Sequence, residues 1–222
     1  MTERYRADGY HHGDLRRALL AAATRVAEEH GIEAVTLREV ARQAGVSHNA
    51  PYHHFIDKGD LIAALVTEYF TQLAAALQHA QDTTPGTALD RFLASGLAYV
   101  RFALERPAAF RLMYRPELRR SVPAEAERNA AANRLVACAG QAYQIVIAGI
   151  TACQNEGFMP EGDPAGRALT AWATVHGLAV LLLDGVSLAP TYGSGSDAAV
   201  SQVTALVTHT LVAGLAHPWP IE

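Results

Sequence analysis

Cysteine is nearly absent: Cys138 and Cys153 are the only two in 222 residues. Both fall in one predicted helix, fifteen residues and therefore roughly 22 Å apart at the helical rise. That separation is far beyond disulfide reach, which excludes a disulfide scaffold and leads us to expect reduced thiols in a cytoplasmic protein. Charge is also scarce, at 18% of residues with a net of −4, a balance that by itself disfavours a polyanionic partner. No apolar run approaches the roughly 18 unbroken residues of a membrane span. The nearest, Gly177 to Leu183, stops at Asp184, so no membrane partner is expected. Glu3, Asp8 and Asp14 lie among the N-terminal bases, and no apolar signal core follows them, so secretion is not expected. Internal repeats are missing, and strand-like alternation hardly occurs.

What remains is helical. Half of the residues are apolar, ample for a buried core. Leu15, Ala18, Leu19, Ala22 and Val26 form one stripe of a first helix that ends at Gly31. Thr36 is placed to cap a second helix, and Glu39 three residues on predicts a capping box. Leu37, Val40, Ala41 and Ala44 are its apolar face, and Gly45 ends it. Ser47 is read as the N-cap of a third short helix running to about Phe55. Asp57 caps a fourth, with Leu61, Leu65, Tyr69, Leu73 and Leu77 as its stripe. After the break at 82–87, five more helices are predicted at roughly 87–105, 107–114, 123–156, 164–184 and 197–216. The expected fold is all-α with nine helices: a three-helix N-terminal domain over 1–56, and a larger helical domain over 57–222.

Residues 36–55 have the character of a helix-turn-helix. Ala41 and Ala44 are small enough for two helices to cross steeply, and Gly45 tolerates the positive φ of a tight turn. The following segment is rich in hydrogen-bonding side chains: His48, Asn49, Tyr52, His53 and His54. Such an element suits the major groove. Charge distribution is consistent with this: residues 1–58 carry eight Lys+Arg against eight Asp+Glu, and six of the ten histidines precede residue 55.

The run Val40-Ala41-Arg42-Gln43-Ala44-Gly45-Val46-Ser47, then Tyr52-His53-His54-Phe55, Lys58 and Leu61, resembles the DNA-binding domain of the TetR family. The resemblance extends over about residues 14–65, including the helix ending at Gly31 and the Val35-Thr36-Leu37 entry. It implies that Thr36, Ser47, Tyr52 and Lys58 hold phosphates while His48, Asn49 and His53 inspect base edges. Lys58 is the only lysine in the chain and stands at a helix N-terminus, where the dipole also favours an anion. The chain departs from the family at Asn49-Ala50-Pro51, where glycine, a small residue and an aliphatic are usual. Arg4 and Arg6 are open to two readings, a minor-groove arm or a solvated tail.

For the larger domain the resemblance implies a ligand pocket and a dimer. Phe92, Phe110, Met113, Tyr143, Trp172 and His176 are candidate ligand-binding residues for a small apolar effector, with core filling as the alternative for each. Trp172-Ala-Thr-Val-His176-Gly177 is similar to a motif of one TetR subgroup. The last two helices are the expected homodimer interface, since Leu178 to Leu183 is apolar on every side and something outside its own core must cover it. The resemblance implies a repressor released from a palindromic double-stranded operator by its effector. No catalytic residues, cofactor or metal ligands are predicted. His pairs are adjacent in sequence with no helical i, i+4 metal spacing, and Gly193-Ser194-Gly195-Ser196 follows no strand. Two alternatives stay open: a helical enzyme or small-molecule carrier, and a regulator sensing oxidation through Cys138 or Cys153.

Overall fold

The computed structural model describes residues 12–115, 126–185 and 196–216. Arg4, Arg6, the predicted helix start at 123 and the glycine-serine segment before Ser196 lie outside them. The described residues form eight α-helices and two 3-10 segments: α1 (His12–His30), a 3-10 turn (Ile32–Ala34), α2 (Leu37–Ala44), a second 3-10 turn (Ala50–His53), α3 (Lys58–Thr83), α4 (Ala88–Glu105), α5 (Pro107–Met113), α6 (Ala126–Asn155), α7 (Pro164–Leu183) and α8 (Asp197–Leu215).

Local chemistry sets the boundaries. The Thr36 Oγ1 accepts from the Glu39 N–H at 3.1 Å and starts α2. The capping box predicted there is only half made, because the Glu39 carboxylate turns outward to Arg42, with Arg42 Nε donating to it at 2.9 Å. That ion pair holds the Glu39 carboxyl below its usual range. A full box forms instead at α4, where Thr87 and Asp90 bond reciprocally. Gly45 ends α2 in the left-handed region, at φ 70° and ψ 28°. Its N–H reaches the Arg42 carbonyl, and the Val46 N–H reaches the Ala41 carbonyl, the paired bonds of a Schellman ending.

Corrected by the structure is the third helix, expected as an α-helix capped by Ser47. The Ser47 carbonyl accepts from the Ala50 N–H, and the Tyr52 and His54 amides bond three residues back to Asn49 and Pro51. This is 3-10 spacing. Pro51 has no N–H to return to the Ser47 carbonyl four residues earlier, so the α pattern cannot propagate through it.

A head of α1, α2 and the second 3-10 turn packs around Leu19, Ala22, Val26, Val35, Val40 and Phe55, all 2% exposed or less. Its core runs without a break into the body along α3, through Leu61, Leu65, Tyr69 and Leu73. In the body α3 packs against α4 and α6, and α7 and α8 close over α4. A second cluster, with Phe92, Ile150, Cys153, Met159 and Ala168, fills the far end. The segments Lys58–Thr83, Asn133–Asn155, Pro164–Leu183 and Asp197–Leu215 are long and apolar enough, by length and composition, to cross a membrane. Their polar residues interrupt every apolar run, which is why scanning for unbroken runs passes over them.

Candidate functional site

The helix-turn-helix presents one polar edge to solvent. Thr36, Ser47, His48, Asn49, Tyr52, His53 and Lys58 are all exposed, while Pro51 and Phe55 between them are buried and fix the turn. The Arg16 guanidinium lies 5.5 Å from the Phe55 ring centroid, bracing that turn from α1. The Thr36 hydroxyl oxygen accepts from Glu39, leaving its proton to donate outward. Lys58 Nζ donates to the Glu33 carbonyl at 3.2 Å, a bond that positions the ammonium and still leaves it two further donors. Arg38, Arg42 and His48 share a shallow cleft beside Thr36. These two arginines were not among the candidates. Their signal was in the sequence, as the polar face of α2, but only the fold shows that this face adjoins the turn.

The second feature is a cavity among α3, α4, α6, α7 and α8, of about 40 Å³. Of the candidates, Phe92, Tyr143 and Trp172 line it, and Tyr99 and Tyr114 line it too. Phe110 and Met113 do not: both are buried in the core, at 1% and 5% exposure, where α5 packs on α3 and α4. His176 stands behind the wall, its Nδ1 2.9 Å from the Tyr99 hydroxyl. Burial lowers the His176 pKa below the ordinary imidazole value, favouring the neutral ring. Tyr99 is the hub, with Tyr114 Oη at 2.9 Å and Trp172 Nε1 donating to it at 3.2 Å. Burial, then the neighbouring Tyr114, push its pKa up, so it stays a phenol.

Every remaining hydroxyl on the wall is engaged locally. Ser95 donates to the Phe92 carbonyl, Thr208 to that of Thr204, and Tyr143 to that of Ala165. Among the described residues, no Asp, Glu, Lys or Arg lines the cavity.

The family model for bacterial regulatory proteins of the tetR family matches residues 19–65, and that for the tetracyclin repressor-like C-terminal domain matches residues 92–211. The chain belongs to the TetR family. The HTH-type transcriptional regulator BetI of Rhizobium meliloti (strain 1021) is 32% identical over 125 residues, 54% of this chain and 56% of that relative. The chain spans about half the length of the curated relatives it matches. A solved structure of a protein of unknown function from Rhodococcus sp. RHA1 is 36% identical, with a TM-score of 0.77, covering 95% of this chain and all of that one (100%). A tetR-family bacterial regulatory protein from Rhodococcus RHA1 shares the fold at 21% identity and a TM-score of 0.63, over 92% of this chain and 98% of that one.

In this TetR chain, head and body are joined by more than the long helix α3. Arg115, one residue beyond Tyr114, pairs with Glu33 of the head at 3.0 Å. Glu33 is also the residue whose carbonyl holds Lys58. Tyr114 itself packs edge-on against Phe70 of α3, with ring centroids 5.9 Å apart. The cavity wall is thus two contacts away from a candidate phosphate ligand. These contacts span 25 to 82 residues of sequence, and nothing in the local pattern signals them.

Proposed function

We propose that this TetR-family chain is a sequence-specific DNA-binding transcriptional regulator, a repressor that leaves a palindromic operator when a small apolar effector enters the body. Residues 1–56 are the DNA-binding domain and residues 57–222 the ligand-binding and dimerisation domain, acting in the cytoplasm. The observation that carries this reading is the exposed row His48, Asn49, Tyr52 and His53 on a turn whose other side is locked into the core by Pro51 and Phe55. Exposed polar side chains on a backbone anchored in the core are what base reading in a major groove requires. Thr36, Ser47, Tyr52 and Lys58 take the phosphates, and His48, Asn49 and His53 the base edges. Selection of bound duplexes from a random pool tests it. A palindrome with half-sites roughly one helical turn apart is expected, and a pool that returns no common sequence refutes it.

The homodimer forms through α7 and α8. Only 28% of the apolar stretch of each is buried within one chain, and Leu169, Leu181 and Leu206 stand 59%, 48% and 47% exposed. A two-fold partner covers such a surface with the same surface. A cysteine sensor finds less support. Cys153 is fully buried, and its thiol is pushed up to about 11 by burial and by Glu156, which leaves little of the reactive thiolate at neutral pH.

A further inference from the structure

The cavity as it stands, at about 40 Å³, is far below the roughly 300–1,000 Å³ of pockets that enclose small molecules. An occupant must therefore displace something, and the hydrogen bonds around Tyr99 show what. A phenol oxygen has one proton and two lone pairs, enough for three partners. Tyr99 already has three, in Trp172, His176 and Tyr114. Trp172 and His176 are four residues apart within α7, fixed by one helix. Tyr114 is the residue just past the end of the short α5. It is the partner that can leave.

We infer that the effector is an uncharged cyclic molecule with a single hydroxyl, whose ring takes the place of the Tyr114 phenol and whose oxygen bonds to the Tyr99 hydroxyl. This deepens the regulator reading and rests on it. The absence of charge follows from the wall, where an ion would lose its water and meet no counter-ion among the described residues. Aromatic faces could instead hold a cation, but these rings lean on one another, Tyr143 on Trp172 at 5.3 Å and Tyr114 on His176 at 4.4 Å.

The choice of a hydroxyl follows from the histidine. If His176 Nδ1 is bare, Tyr99 donates to it and an incoming group must donate to Tyr99. If His176 Nδ1 carries its proton, Tyr99 accepts from it and donates outward, so the incoming group must accept. A hydroxyl serves in both cases, and a carbonyl in only one. Displacing Tyr114 also moves the neighbour of Arg115, and with it the Glu33 contact of the head.

Calorimetry on the full chain with 2-naphthol, naphthalene, 2-naphthoate and a naphthyl-trimethylammonium ion tests the assignment. The alcohol should bind about tenfold more tightly than each of the others, the worth of one neutral hydrogen bond. Tyr99→Phe should erase the difference between the alcohol and naphthalene, because neither then breaks or replaces a bond to the Tyr99 hydroxyl. Tyr114→Phe should tighten the alcohol several-fold, because the displaced ring no longer competes for Tyr99; a merely structural role would not produce a gain. Preference for either ion, an alcohol preference that survives Tyr99→Phe, or no binding of any probe below millimolar concentration overturns the inference. Duplex binding is measured in parallel. A chain that prefers the alcohol yet binds no duplex keeps this cavity assignment and loses the regulator reading. One that binds duplex and prefers the carboxylate loses only the assignment.

Discussion

Gly149 on α6 faces Phe92 of α4 where the two helices cross beside the cavity. A methyl group at Gly149 would sit 2.8 Å from Phe92 Cδ2 and 3.3 Å from Gln81 Nε2, so the aromatic ring must shift. Two terms oppose each other in Gly149→Ala. Alanine gains about 1 kcal/mol over glycine in a helix interior, and overpacking costs about 1–3 kcal/mol. The cost falls at the low end here, because Phe92 lines a cavity of about 40 Å³ and has space to rotate into. We expect a net loss of about 1 kcal/mol or less, which for a chain of this length lowers Tm by no more than about 2–4 °C. The space Phe92 enters is the space a ligand needs, so affinity for 2-naphthol should fall by about tenfold or more. Thermal melts and calorimetry read the two effects separately. A loss above about 4 kcal/mol, beyond ordinary overpacking, or an unchanged affinity would show that the ring does not move as argued.

His176 has a folded-state pKa below its ordinary value, so below that value the unfolded chain binds more protons than the folded one. Its contribution to stability is complete above about pH 6.5 and is lost as the pH falls toward the depressed folded value. His176→Asn should flatten this acid-side slope in urea midpoints taken between neutral and mildly acidic pH, and an unchanged slope refutes the assignment. On DNA, Asn49→Ala or His53→Ala should relax base preference by about 1–3 kcal/mol, while Lys58→Ala should weaken all sequences alike and make the salt dependence shallower; competition binding across duplex variants decides between them. Leu181→Glu with Leu206→Glu should yield a monomer by light scattering with helicity retained, and a variant that stays dimeric places the interface elsewhere.

Helix placement was readable because its causes are local. Thr36 and Asp57, read as caps, each accept an N–H of the following helix, and Thr87, Asp163 and Ser196, not singled out as caps in the sequence, do the same; a cap acts within three residues. Gly45 was readable for the same reason, as one residue whose backbone must turn left-handed. The 3-10 turn at Ala50–His53 was less so: the missing donor of Pro51 is visible in sequence, but a helical first turn can also absorb a proline. Of the predicted pocket residues, Phe92, Tyr143 and Trp172 reach the wall, while Phe110, Met113 and His176 stand behind it.

By itself, the sequence determined most of the helices, the Thr36 and Asp57 caps, the left-handed turn at Gly45 and the family, because periodicity and capping depend on neighbours a few residues apart. Tertiary structure alone decided which apolar side chains face a cavity and which face the core. It also brought Tyr99, Tyr114, Trp172 and His176 to one point, and set Arg115 against the Glu33 carboxylate and Lys58 against the Glu33 carbonyl. An aromatic residue buries as well against a core as against a ligand, so its type does not reveal its direction. That direction is set by how α4, α5 and α7 cross, through contacts between residues as far apart as Tyr99 and His176, 77 positions along the chain.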